Sequence, residues 1–407
     1  MDLTTRIQNV LYDLAQFTDH TSEEGVTRLP FTCASAQAQE FLVDYFKGIG
    51  LETLIDPTGA VYGHLPGVTG EERLYGSHYD SVRHGGAYDG TAGIVCAAEA
   101  LREIINEGLR PECGISIAAW NDEEGIRFSR GFLSSRAVCE GISEKDLRSI
   151  RELATGETLE EVIRGSGGSP EEIPALAGTI RGYSSYTEAH IEQGPVLEEL
   201  GLPVAVVTSV AGFRRYMCHV RGEANHAGST PMRSRKDAFV SASRMIQYLY
   251  EQACGEEELT ATVGSASVSP GAVNIIPGAV DFSLEIRSSR DEKTEVFAER
   301  ILKDFDQMAR DAGTSFAWEK LTETAAVAMD EGEIHILREA AERLRIPCGA
   351  MMSGAGHDAQ IIGRWIPASM VFIRSIGGIS HQPAERSEPA DLALASLILR
   401  EHMLHRR

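Results

Sequence analysis

The chain has 407 residues, 43% hydrophobic and 24% charged, which suits a soluble globular protein long enough for two domains. Lys and Arg number 38 against 60 Asp and Glu, a net charge of −22, so nucleic acid and anionic membrane are poor partners. Seven cysteines (Cys33, Cys96, Cys113, Cys139, Cys218, Cys254, Cys348) include no CxxC pair and are odd in number; reduced, mostly buried thiols in a cytoplasmic protein are expected. The N-terminus lacks a basic region followed by an apolar stretch, and no run approaches the roughly 18 apolar residues that span a bilayer. Neither a signal peptide nor a membrane location is expected.

Residues 1–17 carry Ile7, Val10, Leu11 and Leu14 at helical spacing, and 35–49 repeat the pattern before stopping at Gly48 and Gly50. Residues 73–77 and 114–120 read as strands, with an Ala-rich buried helix over 90–107 between them. That order indicates an α/β layer structure whose loop after the first strand holds most of the polar residues. Residues 143–177 are charged and Gly-rich and read as surface helices and connections. A second series follows: strands at 203–210 and 216–222, a helix at 236–253, strands at 260–269 and 280–287, a helix at 291–312, and a strand at 315–321. Two helices with about four short strands suit a compact α+β unit. Buried elements return at 350–353 and 368–373, followed by a helix over 392–404. One domain inserted between two halves of another is the simplest account.

Gly-Ser-His-Tyr-Asp-Ser-Val at 76–82 follows a strand, and Gly85, Gly86, Ala87, Tyr88, Asp89 and Gly90 succeed it. An imidazole with a carboxylate two residues on suits a metal ligand whose second nitrogen that carboxylate holds, with His78 as ligand and Asp80 as orienter. The glycines let the chain bend so that Asp89 returns to the same point. The next strand runs into Asn121, Asp122, Glu123, Glu124 and Gly125, which in isolation is a solvated turn. Both loops, however, stand at strand carboxyl ends, where open α/β sheets gather ligands. Glu188, His190 and Glu192 alternate with Ala189 and Ile191 and so share one strand face. Ser380, His381, Gln382, Pro383, Ala384 and Glu385 follow another strand and a Gly377-Gly378 turn. His78, His190 and His381 with Asp89 and Glu124 suit two divalent ions such as Zn, Mn or Co rather than Ca or an iron–sulfur centre. If Asp89 bridges, each ion has three protein ligands and an open place for a shared water, which once ionised attacks a carbonyl. Glu123 is left as general base and proton donor to a leaving nitrogen.

GSHYDSV with GGAYDG, NDEEGIRF, EAHIEQGPVLE, GEANHAGSTPM, VNIIPG, MSGAGHDA and GISHQPAE, in this order, resemble the di-metal aminoacylase and carboxypeptidase superfamily. The likeness is to its N-carbamoyl-L-amino acid hydrolase and allantoate amidohydrolase branch, and it spans nearly the whole chain. It implies an α/β fold: a catalytic domain with a central mixed sheet between helices, over 1–208 and 325–407, and an inserted α+β, ferredoxin-like lid and dimerisation domain over 209–324. It implies one ion on His78, Asp89 and His190 and a second on Asp89, Glu124 and His381, the metal being Zn, Mn, Co or Ni. Glu123 would be the acid/base, Asp80 the orienter of His78, and the Asp89–Gly90 peptide cis. His rather than a carboxylate at position 190 matches the amidohydrolase branch. The resemblance further implies a homodimer in which His226 reaches the other subunit's site to stabilise an oxyanion. Asn274 and Arg287 match positions that hold a substrate carboxylate, for which a guanidinium fork is suited. Gln193 matches a ureido contact, and Gly354, Ala355, Gly356 and His357 match a loop lining the pocket. Ala60 in place of Asn, and Ser134-Ser135 in place of Gly-Ser, depart from the family without touching a ligand position.

The expected function is metal-dependent hydrolysis of a ureido C–N bond, R-NH-CO-NH2, beside a carboxylate, in allantoate or an N-carbamoyl-L-amino acid. Arg214, in Gly-Phe-Arg-Arg-Tyr, resembles the allantoate hydrolases and would offer a second guanidinium to a doubly ureido substrate. An aminoacylase or dipeptidase acting on an ordinary amide is the alternative, against which Gln193 and the HIEQG context stand. A catalytically dead metal-binding scaffold would lack Glu123 or a ligand, and none is missing.

Overall fold

Helix α1 (Leu3–Ala15) begins where the Asp2 carboxylate accepts the Thr5 N–H, and it buries Ile7, Leu11 and Leu14. The computed structural model describes residues 1–19 and 24–405. Helix α2 (Cys33–Ile49) is capped by Thr32 and stops at Gly50, whose φ of 100° only glycine adopts freely. A hairpin of β1 (Glu52–Ile55) and β2 (Val61–Leu65) leads to β3 (Glu72–His78), α3 (Thr91–Asn106) and β4 (Gly114–Trp120). Short helices α4 (Leu133–Cys139), α5 (Glu144–Ser149) and α6 (Leu159–Gly165) contribute Leu133 and Ala137, Leu147, and Leu159 and Ile163 respectively to one small apolar cluster. Strand β5 (Ser185–Ile191), helix α7 (Val196–Leu200) and β6 (Val204–Val210) follow.

The chain divides into two units, Met1–Thr208 with Ala328–Arg407, and Ser209–Val327. In the second unit β7 (Gly212–Arg221), α8 (Ala238–Cys254), β8 (Leu259–Thr262), β9 (Ala266–Ser269), β10 (Ala279–Ser288), α9 (Asp291–Asp311) and β11 (Ser315–Thr324) build an antiparallel sheet ordered β11-β7-β10-β8, with β9 also on β10. The helices cover one face of it: Cys218, Val220, Phe282, Leu284 and Ile286 pack with Met245, Phe297 and Phe305. The strand expected over 260–269 is two strands. The backbone leaves the ladder at Gly264 and Ser265, whose N–H groups donate to Ser283 Oγ instead of to a neighbouring strand.

The first unit resumes through β12 (Val327–Ala328), α10 (Glu331–Leu344), β13 (Cys348–Ser353), α11 (Asp358–Ile362), β14 (Ala368–Ile373) and α12 (Pro389–Met403). The sheet runs β1-β2-β4-β3-β5-β14-β6-β12, with β13 also on β6. Strands β4, β3, β5 and β14 are mutually parallel, so their carboxyl ends lie along one edge. Every residue of α3 from Thr91 to Leu101 is buried. Its small side chains let it lie directly on β5, and a Cβ on Gly93 would stand 1.9 Å from Ala189 O. The buried Glu99 is offset by Arg6 at 2.7 Å and the Tyr45 hydroxyl at 2.8 Å. Cys96, Cys113, Cys139 and Cys218 are buried, Cys33 and Cys254 are exposed, and all seven cysteines are free. Among the described residues no helix is long and apolar enough to cross a membrane.

Candidate active site

Along the carboxyl edge of the four parallel strands, side chains able to hold a metal fall into four overlapping groups among the described residues, two of which share Asp89: His78 with Asp89 and His190, and Asp89 with Glu124 and His381; the others are His78 with Glu123 and Glu124, and Glu188 with His190 and His357. His78 closes β3, His190 lies near the end of β5, Glu124 follows β4, and His381 sits in the loop after β14. Asp89 joins its two groups through different oxygens. Its Oδ1 is 3.1 Å from His190 Nε2 and 3.6 Å from His78 Nε2, while Oδ2 is 3.1 Å from His381 Nε2. Glu124 Oε1 stands 3.7 Å from His381 Nε2, and Glu123 Oε2 stands 4.0 Å from His78 Nε2.

Main-chain carbonyls aim the two inner imidazoles. His78 Nδ1 faces Asp80 O at 3.0 Å and His190 Nδ1 faces Ile191 O at 2.8 Å, which leaves both Nε2 atoms, 3.3 Å apart, pointing into the site. The Asp80 carboxylate is 3.7 Å from His78 Nδ1 and does other work than expected: it accepts the N–H of Glu123 at 3.0 Å and of Glu124 at 3.2 Å. Asp80 therefore orients His78 through its carbonyl, and its side chain fixes the peptide that carries both glutamates. The expected cis bond is also corrected. Asp89–Gly90 is trans, and the only cis peptide among the described residues is Ser269–Pro270. Gly90 makes the close turn instead at φ 65°, where a Cβ would lie 2.3 Å from His78 O.

Glu188 and Glu192 flank His190 outside the two groups that share Asp89, although Glu188 forms a group of its own with His190 and His357. Glu188 accepts from Ser77 Oγ and from the Ala359 N–H, both at 2.9 Å, behind the imidazole. Glu192 lies beyond the end of β5 and caps α7 by accepting the N–H groups of Val196 and Leu197. His357 is buried with its ring centroid 4.5 Å from that of His190 and its Nε2 2.8 Å from Ser353 Oγ; Gly356 before it packs against Phe132. Gln193, at φ 60°, points its amide nitrogen at both oxygens of Asp89, 3.2 Å each, and leaves its carbonyl oxygen buried without a partner.

Charge is concentrated here. Burial, with the neighbouring Glu124 and Asp358, pushes the Glu123 carboxyl well above the carboxylate range, against the pull of His78. Burial and Asp89 push Glu124 up to about 7. Burial would lower His78, but Glu123, Asp89 and Asp80 outweigh it and hold the imidazole well above its usual value. The hydrogen bond to Asp89 raises His381 to about 9. Glu124 Oε1 is buried and has no hydrogen-bond partner. Clustered imidazole and carboxylate ligands, one with an orphaned oxygen, form a donor set that fits divalent cations of the Zn or Mn kind.

The remaining candidates belong to the second unit. His226 is exposed, and its Nδ1 accepts the N–H groups of Gly228 and Ser229 at 3.1 Å each, which leaves the ring proton on Nε2. Asn274 is its neighbour, its carbonyl accepting the Ala227 N–H at 2.9 Å. Arg287 lies on the face of β10 away from the helices, pairs with Glu285 at 2.6 Å and stacks over Phe213. Arg214 lies on the opposite, helix-covered face, between Glu295 at 3.4 Å and Glu323 at 3.7 Å. This corrects the expectation that Arg214 gives the substrate a second guanidinium beside Arg287: the strand alternation that turns one outward turns the other onto α9.

The sequence and the fold have known counterparts. Residues 60–405 match the model of peptidase family M20/M25/M40. The chain is 36% identical to the N-carbamoyl-L-amino-acid amidohydrolase of Paenarthrobacter aurescens, over 95% of this chain and 94% of that one. It is 34% identical to the allantoate amidohydrolase of Bacillus subtilis, over 94% and 92%. A crystal structure of an amidase of the hydantoinase/carbamoylase family from Burkholderia multivorans superposes with a TM-score of 0.92 at 31% identity, covering 98% of this chain and 97% of that one. With a family model matched along most of its length and curated relatives above 30% identity end to end, the chain belongs to peptidase family M20/M25/M40.

Proposed function

We propose that this protein hydrolyses the ureido C–N bond of a carboxylate-bearing substrate, an N-carbamoyl-L-amino acid or allantoate. The observation that carries the reading is the divided carboxylate of Asp89, which offers one oxygen to His78 and His190 and the other to His381. In this reading two divalent ions are held per subunit, one by His78, Asp89 and His190, the other by Asp89, Glu124 and His381. When bound they supply Lewis-acid polarisation of the carbonyl and acidify water. Glu123, held in place through Asp80, takes a proton from the attacking water and gives one to the nitrogen as the C–N bond breaks.

The unpartnered carbonyl of Gln193 favours a ureido group over an ordinary acyl group, because only the former carries a terminal NH2 to donate to it. Gly356 and His357 line the pocket next to His190. Asn274 and Arg287 bind the substrate carboxylate, and His226, its Nε2 carrying a proton, acts in trans within a homodimer as donor to the developing oxyanion. Metal-free protein reconstituted with Zn, Mn, Co or Ni and assayed for ammonia release tests the reading. Turnover of allantoate or N-carbamoyl-L-amino acids, with N-acetyl amino acids left intact, supports it; hydrolysis of the N-acetyl compounds alone overturns it.

A further inference from the structure

Glu385 is a buried carboxylate that ligates nothing and accepts four hydrogen bonds, two on each oxygen. Oε1 accepts the main-chain N–H of Asp89 at 2.9 Å and of Tyr88 at 3.1 Å. Oε2 accepts Ser380 Oγ at 2.9 Å and the main-chain N–H of His381 at 3.3 Å. One side chain thus joins the glycine-rich loop after β3 to the loop after β14, two segments almost 300 residues apart in sequence, at the two residues whose side chains meet 3.1 Å apart. The packing allows no slack: a Cβ on Gly86 would stand 2.1 Å from Glu385 Oε1. His381 needs such an anchor. Its backbone sits at φ 57° in a loop, and its side chain is half exposed, without the strand that fixes His78 and His190.

We infer that Glu385 is a positioning residue for the ion held by Asp89, Glu124 and His381, setting the distance between two of its ligands through their backbones. The inference rests on the two-ion reading above. All four partners are donors, so an ionised carboxylate satisfies every one. An isosteric amide does not: its NH2 would face either the Asp89 and Tyr88 N–H groups or the Ser380 and His381 donors. Glu385→Gln therefore keeps shape and volume while breaking one side of the clamp.

The test is titration of metal-free, full-length protein with Zn(II) against a chromophoric chelator, beside thermal melts of the metal-free forms. Wild type should bind two ions. In Glu385→Gln one ion should bind about 10- to 100-fold more weakly, the range for lost ligand-orienting partners, while the other changes far less. His381→Ala should weaken the same ion. Ser380→Ala, which removes one of the four donors, should weaken it by a smaller factor and carries the test alone if Glu385→Gln does not fold. Unchanged affinities in both variants overturn the inference, as does an equal loss of both ions together with a lower metal-free Tm, which would make Glu385 a general structural residue. If wild type binds no ion, the two-ion reading falls first and takes this inference with it.

Discussion

Arg214 and Arg287 stand one position out of phase on paired strands: Phe213 pairs with Arg287, and Arg214 pairs with Ile286. Because side chains alternate along a strand, one guanidinium lies over the Phe213 ring on the open face while the other sits among Glu295 and Glu323. Arg214→Leu should therefore change kcat/KM by less than about 2-fold, and equally for allantoate and for a carbamoyl amino acid. Its partners are half exposed, so the stability cost should stay within the ~0–1 kcal/mol of solvent-screened ion pairs. Arg287→Lys should lower kcat/KM roughly 10-fold or more on both substrates, since an ammonium cannot reproduce a bidentate fork. A selective loss on allantoate in Arg214→Leu would restore the substrate role for that residue.

Glu123→Gln tests the division of labour between ligand and base. The amide accepts no proton, so kcat should fall by about 10²–10⁴, while both ions remain, because Glu123 belongs to neither three-ligand set assigned to an ion. His190→Ala and His381→Ala should behave in the opposite way, each lowering metal content by elemental analysis. Loss of both ions from Glu123→Gln, or full occupancy in either histidine variant, would reverse the assignments.

The residue types of this site were legible because histidine, carboxylate and glycine recur at strand ends, and because the motifs that carry them resemble one family in the same order. What each atom does was not legible. Whether Asp80 meets His78 by its carbonyl or its carboxylate is a matter of 3.0 Å against 3.7 Å, set by where the Glu123–Glu124 peptide packs. Glu385 gave only the signal of an acid four residues after His381; its burial and its partners Tyr88 and Asp89 are known only once β14 lies beside β5. That non-local pairing is invisible to periodicity. Helix α10 was missed although Ile336, Leu337, Ala340 and Ala341 keep helical spacing behind the Asp330 cap. The break at Gly264 came from a side-chain hydroxyl 18 and 19 residues away, which no local pattern reports.

A fourth buried histidine sets a stability limit away from the chemistry. His402 lies between Tyr75 OH at 2.8 Å and Glu333 Oε2 at 2.9 Å, with its carbonyl accepting from the buried Arg73. Burial lowers its affinity for a proton, and Arg73 and His405 add to this, while Glu333 offsets it only in part. The unfolded chain therefore takes up a proton at a higher pH than the folded one. Stability from this group is present above about pH 6.5, the ordinary value, and is lost as pH falls below it toward the depressed folded value. Between pH 7 and pH 5, Tm should drop more in wild type than in His402→Gln. A parallel drop in both would place the acid sensitivity elsewhere.

The role of His226 in trans is separable from catalysis within one chain by mixing two inactive variants. Glu123→Gln lacks the proton carrier but keeps His226, and His226→Ala lacks the oxyanion donor but keeps Glu123. In a symmetric dimer that exchanges His226, a mixed pair contains one site with Glu123 from one subunit and His226 from the other, both intact. Co-refolding the two variants should then restore a measurable fraction of wild-type kcat, whereas each alone stays low. Restoration requires self-association, so the regained activity should fall on dilution below the dimer dissociation constant while metal content stays constant. If His226 instead serves its own chain, every site in the mixture carries one defect and mixing restores nothing. A monomer by sedimentation with full wild-type activity would rule out the trans arrangement directly and leave His226 to be tested within a single subunit.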